Sequence, residues 1–240
     1  MADKTEQRRV ERILLNHQGA LCGWRWRASR KSSLPTPDIL VYDRGVEPQN
    51  KKWDAVAFQK RFGHPLIMGE IEKFVDRRGR TLDYGCGYGR SIRELNERAF
   101  TNLFGVGYSS GMLRRARKET PFAQYVRKSG PEIPFSKGSF DAVLLLAVLT
   151  CIPDSGAQAK LFSEIYRVLK EGGILYVRDL LINGDERNKD RYERFERKHD
   201  FYGVFEQEEG VTLRHHTREH LERLRLHLKQ SACRSSGWRL

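Results

Sequence analysis

Hydrophobic positions change their period along the chain. Trp53, Val56, Ala57 and Phe62, then Ile67, Ile71 and Phe74, recur at helical spacing, in two pieces broken near Gly63 and Pro65. Residues 80–83 read as a short strand ending in Asp83, and Ile92 and Leu95 mark one face of a helix over 91–99. Residues 102–107 (N-L-F-G-V-G) read as a second strand. Ser109 and Ser110 then supply an N-cap for a helix over 111–118. Residues 124–127 form a short third strand. Residues 142–149 are apolar without interruption, as expected of a strand buried on both faces. Leu161, Phe162, Ile165, Val168 and Leu169 return to helical spacing, and Glu171-Gly172-Gly173 is expected to stop that helix with glycine as its C-cap. Residues 174–177 are a further buried strand, ending at Arg178-Asp179. Strands alternating with helices predict an α/β domain with a parallel sheet and right-handed crossovers.

The flanks follow other patterns. Residues 1–50 read as an N-terminal extension. Residues 10–15 suit a short amphipathic turn, and 32–37 a loop. Trp24 and Trp26 stand between arginines, a pattern that can stack on bases and that also suits a surface segment tucked against the domain. The domain edge is placed near Asn50, so the domain runs over 51–240. Residues 185–198 predict a charged helix. Residues 202–205 and 211–215 can pair across the E-Q-E-E-G turn, which makes 185–216 an insertion on the substrate side. A helix over 217–229 starts at Thr217, although 224–228 (L-R-L-H-L) alternates.

Composition narrows the classes. The chain has 240 residues, 39% hydrophobic and 31% charged, which suits one large domain with an extension. Its formal net charge of +13 favours acidic small molecules or polyanions as partners, and equally suits a soluble basic enzyme. Cys22, Cys86, Cys151 and Cys233 form no C-x-x-C pair, which suggests neither zinc nor a redox motif and fits a reducing cytoplasm. The apolar run at 142–149 is too short to span a bilayer. The opening M-A-D-K-T-E-Q carries no secretory pattern, so no membrane role is expected.

Candidate chemistry sits at residues 80–91, R-T-L-D-Y-G-C-G-Y-G-R-S. Three glycines alternate between a strand and a helix, where the chain can turn sharply and approach a ligand closely. The carboxylate of Asp83 at the strand end can accept from an ammonium or hydroxyl group. The spacing is G-x-G-x-G, not the G-x-G-x-x-G of dinucleotide binders, which weighs against a nicotinamide dehydrogenase.

Four blocks, L-D-Y-G-C-G-Y-G (82–89), L-F-G-V-G-Y-S-S-G-M-L (103–113), I-P-F-S-K-G-S-F-D-A-V (133–143) and R-V-L-K-E-G-G-I-L-Y-V (167–177), resemble the class I S-adenosylmethionine-dependent methyltransferases of small-molecule type. The resemblance covers about residues 53–179. It implies a doubly wound, Rossmann-like, mostly parallel sheet with helices on both faces and S-adenosyl-L-methionine across the carboxyl ends of its strands. It places Gly85, Cys86 and Gly87 against the methionine part of that cofactor. Asp83 would orient its amino group, Tyr108 would pack on the adenine, and Leu146 and Ala147 would touch its amino-acid end. The helix over 53–62 resembles the family's N-terminal lid.

Three departures stand out. Gly107 occupies the position where the family usually has an acid bonding the ribose hydroxyls. Ser129, followed by Gly130, occupies the position of an Asp accepting from the adenine amino group. After the helix at 217–229 too few residues remain for the family's closing hairpin. The strand at 174–179 is therefore expected at or near a sheet edge, where self-association follows.

The implied activity is methyl transfer to a small-molecule acceptor. His215 and His216, in R-H-H-T, and Tyr202 are the candidates for a general base, with Thr150 and Cys151 facing the same acceptor. His216 and His220 stand four apart without a third ligand, so no metal site is read. The departures at Gly107 and Ser129 keep a second reading open: a catalytically weakened methyltransferase-like protein that binds RNA through its basic surface. A nucleic-acid methyltransferase is less favoured, because L-A-V-L-T at the end of the fourth strand lacks an Asn-Pro-Pro-Tyr-like motif for a flipped base.

Overall fold

The apolar runs pair as parallel strands. The structure, a computed structural model, describes residues 49–128 and 130–224 together with the backbone of Leu21–Arg27. In chain order the elements are β1 (Leu21–Arg27), α1 (Asn50–Ala55), α2 (Met68–Glu72), β2 (Thr81–Tyr84), α3 (Arg90–Asn96) and β3 (Leu103–Gly107). There follow α4 (Ser110–Glu119), β4 (Gln124–Arg127), β5 (Phe140–Leu146), α5 (Ser155–Val168), β6 (Leu169–Leu180), α6 (Glu186–His199), β7 (Val204–Glu206) and β8 (Thr212–Arg214). Residues 218–224 are helical.

The main sheet has the order β1-β6-β5-β2-β3-β4. Strands β2 to β6 pair in parallel, and β1 pairs antiparallel with β6. Side chains on alternate positions leave opposite faces of the sheet. On one face Leu161, Phe162 and Ile165 of α5 pack with Leu82, Val143 and Leu175. On the other, Ile71, Ile92, Leu95 and Leu113 pack with Leu144 and Tyr176. Burying each such side chain contributes about 1.5–3 kcal/mol. Strand β5, F-D-A-V-L-L-L, is central and covered on both sides, which is why its sequence does not alternate. Helix caps are specific too: Ser109 Oγ accepts from Met112 N at 3.0 Å, and Asp185 Oδ1 from Asn188 N at 3.0 Å.

Several expectations are corrected. Strand 174–179 is the last of the parallel strands and stands near the sheet edge as expected, but it is not exposed: β1, from the segment before Asn50, pairs antiparallel along its outer side. The basis for expecting self-association through that strand is thereby removed. Helix α5 ends at Val168 with Leu169 as its C-cap, and Gly172-Gly173 lie within β6, where the register with β5 shifts. The apolar run at 142–149 does not stay extended: β5 stops at Leu146, and Leu149–Cys151 form a 3-10 turn. The lid helix is shorter than 53–62, ending at Ala55. Residues 204–206 and 212–214 do pair, as a separate two-stranded sheet, and Leu181 and His216 bridge it to the end of β6.

Candidate active site

The strand order reverses between β2 and β5, and ligands of open α/β sheets bind at such a point, outside the carboxyl ends of the strands. Here β2 runs into the glycine loop. Gly85 has φ 76° and Gly87 φ 51°, both left-handed, which a side chain adopts only under strain. Gly85 N and Cys86 N donate to Val106 O at 2.8 and 3.1 Å, tying the loop to the end of β3. A Cβ at Gly85 would lie 2.7 Å from Val148 Cγ2, and one at Gly87 2.8 Å from Phe62 Cε2. The glycines therefore admit close approach by two of the protein's own side chains, from the turn after β5 and the segment after α1.

Asp83 lies under this loop, 2% exposed, and its Oδ2 has no hydrogen-bond partner. Burial pushes its carboxyl up to about 7, against the pull of the Arg90 charge. A buried carboxylate with a vacant acceptor position is a ready partner for an ammonium group.

At the end of β3, a Cβ on Gly107 would meet Leu113 Cδ2 at 3.5 Å, an ordinary contact. Tyr108 is partly exposed, and its hydroxyl donates to Gly130 O at 3.2 Å. Ser129 lies outside the described residues. Lys128 is buried there instead, donating to Pro131 O and, at 2.7 Å, to Glu132 O, with its ammonium near the Tyr84 and Tyr108 rings. Burial pushes Lys128 down to about 8.

At the end of β5, Ala147 takes a left-handed φ of 52°, and its N donates to Arg178 O at 2.8 Å. The chain then folds over Asp179, whose carboxylate accepts from Leu149 N at 2.7 Å and Thr150 N at 3.0 Å. Leu146 and Ala147 thus meet Val148, and through it Gly85, at one corner.

The β7–β8 sheet and α6 form a small layer beyond this corner. Tyr192, Phe205, Val211 and Leu213 make its core, against Trp53, Cys151 and Ile182. Both candidate histidines are buried in it. His215 Nδ1 lies 2.5 Å from the Tyr192 hydroxyl, and burial pushes its imidazole down to about 4. His216 stacks on His220 with ring centroids 5.4 Å apart, and its Nε2 lies 3.8 Å from Asp179 Oδ1. Burial and Arg214 hold His216 well below the usual histidine range. His220 Nε2 pairs with Gln158 Oε1 at 2.7 Å. Tyr202 is partly exposed at the rim, edge-on to Tyr192. Thr150 is buried, and Cys151 points its thiol at Ala147 O, 3.4 Å away.

The sequence profile described as "Methyltransferase domain" matches residues 82–177, from within β2 to within β6. That stretch is a methyltransferase domain on the fold shared by S-adenosylmethionine-dependent methyltransferases.

Two curated relatives agree with this domain. The 2-methyl-6-phytyl-1,4-hydroquinone methyltransferase of Synechocystis sp. is 37% identical over 101 residues, 41% of this chain and 31% of that protein. The ubiquinone/menaquinone biosynthesis C-methyltransferase UbiE of Campylobacter jejuni is 32% identical over 101 residues, 40% of this chain and 42% of that protein. The match therefore spans less than half the length of either relative. A S-adenosylmethionine-dependent methyltransferase of Methanosarcina mazei shares the fold, with a TM-score of 0.62 over 66% of this chain and 82% of that one, at 23% identity. No helix among the described residues is long and apolar enough to cross a membrane.

S-adenosylmethionine is the cofactor of this family. Two features of the methyltransferase domain fit it: the left-handed glycine loop and the vacant oxygen of Asp83 beneath that loop. The segment 53–62 packs against the start of α4 and the glycine loop. Asp54 Oδ1 accepts from Ser109 Oγ at 2.5 Å and Gly111 N at 2.8 Å, and Arg115 NH1 donates to Ala57 O at 3.1 Å and Lys60 O at 3.0 Å. Phe62 stacks on Tyr88 at 5.4 Å, closing over Gly87. Sequence reading missed Val148 and Lys128, and placed Asp54 and Phe62 only within the lid span 53–62. Asp54, Phe62 and Val148 act through partners distant in the chain, whereas Lys128 bonds Pro131 and Glu132 close by. Arg178-Asp179 did carry a local signal, as two charges ending a buried strand.

Proposed function

We propose that the protein transfers the methyl group of S-adenosylmethionine to a small-molecule acceptor. The observation that carries this is the buried, half-vacant carboxylate of Asp83 beneath a left-handed glycine loop at the switch point of the sheet. On this reading Asp83 receives the cofactor's ammonium, Gly85–Gly87 lie along its methionine part, and Tyr108 with Gly130 borders its adenine. Leu146 and Ala147 face its amino-acid end. The bound cofactor supplies an electrophilic methyl group with a neutral leaving group. The chain then needs chiefly to position the acceptor and exclude water. Phe62, Trp53 and the apolar layer behind Cys151 serve the second need.

General-base help is required only if the acceptor loses a proton. The Tyr192 hydroxyl and His215 Nδ1 share a hydrogen bond at 2.5 Å, which engages that ring nitrogen inside the layer. In this arrangement His215 is held against Tyr192. His216 is neutral and sealed at 1% exposure. The relatives' names specify hydroquinone and quinone-biosynthesis methylation, which supports an apolar organic acceptor.

The test is incubation with methyl-labelled S-adenosylmethionine and a fractionated cell extract. Label is expected in the organic-extractable small-molecule fraction. Label confined to RNA or protein contradicts the assignment of acceptor class.

A further inference from the structure

Arg178 is a buried charge that the chemistry above leaves unused. It is 7% exposed. One guanidinium nitrogen donates to Pro65 O, while its Nε is fully enclosed and has no partner. Arginine carries five donors. Among the described residues no carboxylate bridges it. Glu94, whose charge bears on Arg178, is already bridged to Arg90 and accepts from Leu66 N at 2.9 Å. A buried cation without a counter-charge is costly, so such groups are kept where an anion completes them.

Register fixes where this charge stands. Asp83, Leu144 and Tyr176 are partners across β2, β5 and β6. Arg178 lies two residues beyond Tyr176, so it shares their face, one pleat nearer the carboxyl ends and opposite Leu146. Only β5 separates β2 from β6, which puts the Asp83 and Arg178 backbones about 12 Å apart. Leu144 and Leu146 of β5 stand on the same face between the two. Arg90, at the start of α3, bears on both Asp83 and Arg178 and hydrogen-bonds His64 O, so a second guanidinium borders the same corner.

We propose that Arg178, with Arg90 beside it, is a carboxylate seat facing Asp83 across the end of β5. Holding Pro65 O requires only one neutral donor. A planar cation with spare parallel N–H groups matches a carboxylate. The carboxylate comes either from the methionine end of the cofactor, whose ammonium then meets Asp83, or from an acid group on the acceptor. The first source rests on the function proposed above.

The experiment is calorimetric titration of the wild-type chain, Arg178→Met and Arg178→Lys with two ligands. S-adenosylhomocysteine has the amino-acid end, and 5′-methylthioadenosine lacks it. If the cofactor supplies the carboxylate, Arg178→Met weakens S-adenosylhomocysteine by about tenfold or more and 5′-methylthioadenosine by less than about twofold. Arg178→Lys falls between, and it carries the test if the Met variant does not fold. If the acceptor supplies it, both nucleosides bind all three proteins alike. Succinate then saturates the S-adenosylhomocysteine-loaded wild type but not Arg178→Met. Equal weakening of both nucleosides overturns the seat, since it marks a general disturbance of the crevice. So does succinate binding that ignores Arg178 when the nucleosides are unaffected. If the wild type binds neither nucleoside, the proposed function falls, and the succinate comparison on the unloaded proteins alone decides the seat.

Discussion

The Tyr192 hydroxyl meets His215 Nδ1 at 2.5 Å inside a layer where Phe205 packs edge-on against the same imidazole, 4.9 Å between centroids. The ring is enclosed and bordered by the Arg191 charge, and its pKa is down at about 4. An unfolded histidine titrates near 6.5. Below that pH the unfolded chain binds a proton that the folded chain refuses. The contribution of His215 to stability is therefore fully present above about pH 6.5 and is lost as pH falls toward 4. His215→Gln keeps an acceptor for Tyr192 without the titration. In urea melts from pH 7 to 4.5 this variant should take up about one proton fewer on unfolding than the wild type. Parallel pH profiles would show that His215 is not the enclosed neutral group described.

Asp179 holds the turn after β5 by accepting from Leu149 N and Thr150 N. Asp179→Ala strands two buried amides and should cost about 2–4 kcal/mol in urea melts at pH 7. Burial raises this carboxyl to about 7, so its folded form keeps a proton that the unfolded form has released. That contribution is fully present below about pH 3.8 and is lost as pH rises through 7. The difference between wild type and variant should therefore grow as pH is lowered from 7. A difference that shrinks on acidification contradicts the burial of Asp179.

Gly87→Val places a side chain at φ 51° and drives its Cβ toward Phe62. Left-handed strain alone costs about 1–3 kcal/mol. The variant should fold with a lowered melting temperature and bind no S-adenosylmethionine. Unchanged affinity in the folded variant removes the glycine loop from the cofactor site.

Gly107 has room for a side chain, its nearest contact being Leu113 at 3.5 Å. A carboxylate there can take two hydroxyl hydrogen bonds, and bonds to a charged group contribute about 1.5–3 kcal/mol. Gly107→Asp should tighten S-adenosylmethionine by on the order of tenfold in titrations at one salt concentration. If the wild type already binds tightly and Asp adds nothing, another group holds the ribose.

Most of the sheet was legible because strands such as β3 and β5 are local apolar runs. Strands β3 and β4 fall within a residue of the predicted spans, and the cap at Ser109 follows from its own sequence. Gly172-Gly173 misled because a glycine pair marks a strand bulge as readily as a helix end. The role of β1 was illegible, since pairing with β6 joins residues about 150 positions apart and no local pattern records it. The glycine loop, Asp83 and the span of the lid could be named from sequence, whereas the contacts that seat the cover could not. Phe62, Val148 and Asp54 reach the site only through tertiary contacts.

The most direct measurement is calorimetric titration of the chain with S-adenosylmethionine and S-adenosylhomocysteine, beside Asp83→Ala. Saturable binding of both at one site per chain is expected, with Asp83→Ala weakening each by about tenfold or more while the variant stays folded. A folded wild-type chain that takes up neither ligand, or an Asp83→Ala variant that binds as the wild type does, contradicts the assignment of this crevice.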